Sequence, residues 1–243
     1  MKTKTIISVI IFSIAMAALE SAVVVYLRAL YYPEGFAVAF KLVDHAIVKI
    51  EIMRELATVI MLLAVGYLAG KNFKERFSYF LLSFAVWDIF YYVWLKVFID
   101  WPLTLWDWDI LFLIPITWLG PVLAPLVCSV TMIVLSGVLL QSDLSKPIPR
   151  SAMVAWTFGS MLIVFTFIQD YGSMLIDHKF IGDYFNLMTN KDFIKVAGSY
   201  VPSSYNWELF WIGELLIIFG ISNTSWTRAS MTMTKTLFIG FKN

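Results

Sequence analysis

Six stretches of about twenty mostly apolar residues, near 6–28, 50–70, 76–98, 121–141, 151–170 and 207–224, recur along the 243-residue chain. Each is long enough to cross the roughly 30 Å hydrocarbon core of a bilayer as a helix. Only 14% of the residues are charged and the mean hydropathy is +0.80, whereas soluble domains carry roughly 25% charged residues. The expected class is therefore all-α, a polytopic membrane protein whose residues 1–243 form a single six-helix transmembrane domain. Lys2, Lys4 and the apolar stretch that follows resemble a secretory signal. The apolar run resumes from Ala22 to Leu27, however, so a retained first helix is expected.

Punctuation between the stretches is clear. Gly70 followed by Lys71, Asn72 and Lys74 ends the second, and Pro147 and Pro149 separate the fourth from the fifth. Asp44 is placed to cap a helix running from His45 through Gly70. At about 26 residues, or roughly 39 Å, that helix exceeds the hydrocarbon thickness, and its first turns are expected in the outer interface. Between Asp107 and Gln141 the pattern breaks. Asp107 and Asp109 precede a short apolar segment, 110–119, while Pro115, Gly120, Pro121 and Pro125 forbid one regular helix. A short broken, half-span helix before the fourth span is expected there, turning at Gly120. Non-helical backbone at that depth must be covered by protein or line a water-filled cavity. The connection 171–206 is the only long one, and its mixture of acids and aromatics predicts an outer loop cap.

Basic residues orient the bundle. Lys2, Lys4, Lys71, Lys74, Arg76, Lys146, Arg150, Arg228, Lys235 and Lys242 fall on one side, against Arg28, Lys41, Lys49, Lys96, Lys179, Lys191 and Lys195 on the other. The positive-inside rule then puts both termini in the cytoplasm, the expected setting being a bacterial or archaeal plasma membrane. Trp94, Trp101, Trp106, Trp108, Trp207 and Trp211 gather at the opposite boundary, as interfacial anchors do.

Against this background the intramembrane charges stand out. Glu51, Arg54, Glu55 and Thr58 lie on one helical face at the start of the second apolar run, and Glu20 and Asp88 interrupt two others. Each such group costs roughly 2.5 to 3.5 kcal/mol to insert. Glu20 lies about 12 Å below Arg28 and Asp88 about 15 Å below Phe98, so three helices are expected to converge on one acidic pocket. Tyr91 and Tyr92 follow Asp88 by three and four residues, and their hydroxyls are expected to satisfy or relay protons for it. Arg54 is the counter-ion. Four carboxylates and one guanidinium cannot all stay charged in a low dielectric, so at least one should hold a proton or the group should bind a cation. His45, Asp107 and Asp109 are expected in an outer vestibule. The alternative is a set of paired polar struts between helices.

If a metal binds, Glu20, Glu51, Glu55 and Asp88 are the expected ligands, and their oxygens favour a hard divalent cation. Glu51 and Glu55 are four apart and lack the Glu-x-x-His spacing of di-metal helix bundles. With His45 and His178 as the only histidines, neither mid-span, bis-histidine haems are excluded. No lysine stands mid-span in the last helix to form a retinal Schiff base. The commonest hydrolase, zinc-protease and phosphate-loop motifs are absent, and the lone Cys128 allows no disulfide within the chain.

Three functions fit. The first is proton- or cation-coupled transport of a small solute or ion. The second is a membrane-embedded, metal-dependent enzyme acting on a lipid or small molecule. The third is a non-catalytic subunit of a larger membrane complex. The expected partners are the lipid bilayer and either other membrane subunits or further copies of the chain, with no nucleic acid.

Overall fold

The computed structural model describes residues 2–31, 45–142, 147–180, 182, 190–200, 202 and 204–240. Its elements in chain order are α1 (Lys2–Tyr31), α2 (His45–Ala69), α3 (Phe73–Ile99), β1 (Trp108–Phe112), β2 (Trp118–Pro121), α4 (Leu123–Gln141), α5 (Arg150–Asp177), α6 (Lys191–Ser199) and α7 (Trp207–Gly240). Among the described residues, α1 to α5 include five helices long and apolar enough to cross a membrane. The chain is thus a helical, multi-pass membrane protein. The sixth expected span, 207–224, lies in α7 and is not among those five. Asp44, the expected cap of α2, lies outside the described residues.

Side-chain hydrogen bonds fix the helix directions. The Ser13 hydroxyl reaches Ser83, and the Ser21 hydroxyl reaches the Tyr91 carbonyl, so α1 and α3 run parallel with a constant offset. Ser136 donates to the Ser78 carbonyl and Ser129 to Asp88, which sets α4 antiparallel to α3. Asn206 meets Gln169 and Asn223 meets Ser151, so α7 descends along α5. In lipid, where apolar burial adds little, small residues and such hydrogen bonds hold helices together. Gly159 and Gly213 show the small-residue half of this rule. A Cβ on Gly159 would lie 2.6 Å from the Gly213 carbonyl oxygen, so only glycine permits the observed approach of α5 and α7.

The turn between α2 and α3 is equally specific. The Asn72 side chain accepts from the Glu75 N–H at 3.0 Å, while the Glu75 carboxylate accepts from the Lys71 N–H at 3.0 Å, a reciprocal cap on the first turn of α3.

The segment expected as a half-span helix is instead an antiparallel hairpin. Trp108 pairs with Pro121, Asp109 with Gly120, Ile110 with Leu119 and Phe112 with Trp118, with an irregularity between Ile110 and Phe112. Aromatic and β-branched residues favour strand, and Pro115 removes a helical donor at the turn. Two backbone donors at the end of this non-helical segment are satisfied locally. Val122 N–H bonds to the Asp107 carbonyl at 2.9 Å and Leu123 N–H to the Leu105 carbonyl at 2.8 Å. The expected outer loop is also shorter than its sequence suggests. The helix of the fifth span continues to Asp177, and α6, capped by Asn190, occupies part of the remainder. Phe193 and Ala197 of α6 pack with Leu119, Tyr171 and Leu175, so this cap closes over the hairpin.

Candidate functional site

The hairpin, α1 to α5 and α7 enclose one cavity of about 420 Å³. Its walls are mainly aliphatic and aromatic, and they carry the carboxylates Glu20, Glu51, Glu55, Asp88, Asp109 and Glu214 with the guanidinium groups of Arg28 and Arg54. The acids expected from the sequence therefore do face a common space, with Glu20 and Glu51 sharing Arg54 and Glu55 and Asp88 held by separate donors.

Arg54 joins two helices. Its guanidinium pairs with Glu20 of α1 and with Glu51 one turn before it on α2, the Nε lying 2.9 Å from Glu51 Oε2. The Thr58 hydroxyl, one turn further along α2, donates to Glu20 Oε2 at 3.0 Å. The face Glu51, Arg54, Glu55, Thr58 thus arises from helical periodicity, and a single acid on α1 completes the cluster. Arg54 and both its acids are largely buried.

Glu55 turns to the hairpin. Its carboxylate accepts the Leu113 N–H, at 3.1 Å to Oε1 and 2.9 Å to Oε2. That bond satisfies a backbone donor left over where the strand pairing ends, and it locks α2 to the turn.

Asp88 accepts from the Ser129 hydroxyl of α4 at 2.8 Å. The tyrosines expected to serve it are placed differently. Both line the cavity, as Asp109 does, and the Tyr91 ring packs against Trp87 and Tyr92, while the Tyr92 ring also packs against Trp101. The i, i+3 and i, i+4 spacing is correct, yet the donor to Asp88 is Ser129 of α4, which the spacing along α3 could not supply.

The expected vestibule residues separate. Asp109 is no surface group: it is 2% exposed and paired with Arg28, whose Nη2 lies 3.1 Å from Oδ1. The same guanidinium stacks 3.8 Å from the centre of the Trp101 ring. Asp107 lies outside the cavity and organises the turn before β1, accepting from the Leu103 N–H at 2.7 Å and from the Thr104 hydroxyl at 2.7 Å. Slight burial works against ionisation of Asp107, but the Thr104 hydroxyl and the two backbone donors outweigh it and hold the carboxyl below its ordinary range. His45 opens α2, as expected, and its side chain lies outside the described residues.

Sequence reasoning missed three contributors. Glu214, on α7, is 1% exposed and accepts from the Thr131 hydroxyl at 2.7 Å. It interrupts an apolar run as Glu20 and Asp88 do, so the same criterion would have found it. Arg28 reads as a span-end cation until its acid on β1 is seen. Cys128 reads as a bland buried thiol until its place on the cavity wall is known.

Among the described residues, no three of the His, Cys, Asp and Glu side chains stand together so as to hold a metal ion. The arrangement separates two kinds of acid. Glu20, Glu51 and Asp109 sit on guanidinium groups, whereas Glu55, Asp88 and Glu214 make no salt bridge among the described residues and are held by neutral donors. Compared with family models, with curated proteins and with solved structures, the chain matches none.

Proposed function

We propose that this chain is a membrane carrier in which carboxylates inside the bundle take up protons or cations and couple their binding to the movement of a small solute. In this reading α7 is the sixth span, both termini are cytoplasmic, and the hairpin faces outward, as the bias of basic residues argues.

One observation supports it above the others. Asp88 and Glu214, from two helices, line the same cavity and are hydrogen-bonded only by neutral hydroxyls, and Glu55 joins them from α2 with its carboxylate on a backbone N–H and the Arg54 charge nearby. A carboxylate taken out of water without a counter-ion keeps its charge at great expense, so such a group holds a proton or attracts a cation. Exchange of that proton or cation for another charge is the elementary step of coupled transport. The Arg54 cluster plays a different part. Its guanidinium bridges Glu20 and Glu51 and fastens α1 to α2, which accounts for the strut-like geometry on that side.

The test is charge movement in reconstituted vesicles adsorbed on a solid-supported membrane, recorded when the bathing pH is stepped. The wild-type protein should give a transient current that falls severalfold in Glu55→Gln and in Asp88→Asn. Currents of equal size in wild type and both amide variants would reject proton handling by these groups.

A further inference from the structure

The cavity also carries information about the solute. Most of its exposed wall is carbon, which suits a solute with an apolar body, while the carboxylates set into that wall suit a positive charge. The aromatic rings form a continuous path along it. Phe84 contacts Trp87 at 5.4 Å between ring centres, Phe112 contacts Trp118 at 5.7 Å, and Trp118 stacks on Phe167 at 5.9 Å. Phe112 also joins the first pair to the second, 6.3 Å from Trp87. The path continues from Phe167 to Phe210 on α7, one turn before Glu214 and on the same helical face.

At that end is an unmet acceptor. Glu214 is 1% exposed, its Oε2 takes the Thr131 hydroxyl, and its Oε1 has no hydrogen-bond partner. A buried carboxylate oxygen without a partner calls for a donor, and an aromatic wall favours a cation over a neutral donor.

Building on the carrier assignment, we infer that the solute is a protonated lipophilic amine, its ammonium directed at Glu214 Oε1 and its apolar body lying along the rings of Trp87, Phe112, Trp118 and Phe167. The ammonium N–H supplies the missing hydrogen bond, and the acids in excess of the two guanidiniums balance its charge. A carboxylate or phosphate solute of the same shape is repelled by the same groups.

Three probes of one shape decide the matter: benzhydrylamine, the neutral benzhydrol and the anionic diphenylacetate. Binding to the full chain in lipid nanodiscs is read by quenching of tryptophan fluorescence, with empty nanodiscs as the partition control. Benzhydrylamine should bind at least about tenfold more tightly than benzhydrol, the worth of one charge-assisted hydrogen bond, and diphenylacetate should not bind. Glu214→Gln should remove that preference, bringing benzhydrylamine to the affinity of benzhydrol. A second measurement needs no variant. Cys128 is the sole cysteine of the chain and lines the same cavity as Glu214, so benzhydrylamine should slow its alkylation by a maleimide severalfold while diphenylacetate leaves the rate unaltered. Equal binding of the amine and the alcohol, or equal alkylation with the amine and the acid, would overturn the amine assignment. If that happens while the pH-step current persists, the substrate class alone is wrong; if the current is also unaffected by the amide variants, the carrier itself is wrong.

Discussion

The carboxylate of Glu55 accepts the backbone N–H of Leu113 at 2.9 Å, tying the α2 helix to the turn of a hairpin 58 residues further along the chain. A group that could have been one more member of an acidic pocket is thereby also the cap on a piece of non-helical backbone. The two roles separate by substitution. Gln retains an acceptor oxygen and should keep the hairpin in place. Glu55→Leu should leave the buried Leu113 donor unmet and lower stability by about 1 to 3 kcal/mol. Thermal unfolding in detergent and hydrogen exchange at Leu113 check this, and Glu55→Gln exchanging as fast as Glu55→Leu would contradict it.

Arg54 holds two acids from different positions, Glu20 and Glu51, in surroundings that exclude most water. Its removal leaves charge without a counter-ion. Arg54→Leu is therefore expected to destabilise the chain by about 3 to 5 kcal/mol, the cost of breaking a buried pair. Combining it with Glu20→Gln and Glu51→Gln should restore most of that loss. Denaturant titration of the single and triple variants gives the answer. No recovery in the triple variant would show that Arg54 acts through packing alone.

Close approach of α5 and α7 depends on Gly159 and Gly213. A Cβ at Gly213 would stand 2.7 Å from Ile163 Cγ1 and 2.8 Å from the Gly159 carbonyl oxygen. Since backbone cannot yield as a side-chain tip does, Gly159→Ala and Gly213→Ala should each cost about 1 to 3 kcal/mol. Gly137, where an added methyl would meet nothing within 4 Å, serves as the control and should tolerate alanine in the same unfolding assay.

The Asp107 turn gives a pH dependence with a definite sign. Hydrogen bonds from Thr104 and Leu103 hold its carboxyl below the ordinary range in the folded chain. Its contribution is thus fully present above the unfolded-state value and disappears as the pH falls through the folded-state value. Amide protection at Leu103 and Thr104 should fall on acidification in the wild type. In Asp107→Ala it should be low throughout, and a wild-type protection that rises in acid would contradict the assignment.

The membrane class and the long helices could be read from the chain alone, because twenty consecutive apolar residues constrain a helix wherever they occur. The Glu51, Arg54, Glu55, Thr58 face was legible for a related reason, since helical periodicity is a local property. Its counterpart on α1 required only the observation that an ionisable residue interrupts an apolar run. The hairpin was not legible. Segment 110–119 is apolar and short, which suits helix and strand alike, and the decision came from contacts with residues far away: Arg28 on Asp109, Glu55 on Leu113, and α6 over Leu119.

The same distinction runs through the site. Local sequence determined which residues are charged within the apolar runs and which of them share a helical face. Tertiary structure decided which groups pair, sending Arg28 to Asp109 and Ser129 to Asp88, and bringing Glu214 to the wall that Asp88 lines. The physical reason is range. Helix periodicity and burial in lipid are set by neighbours a few residues apart, whereas a hydrogen bond in a low-dielectric interior goes to whichever donor the packing of separate helices delivers within about 3 Å.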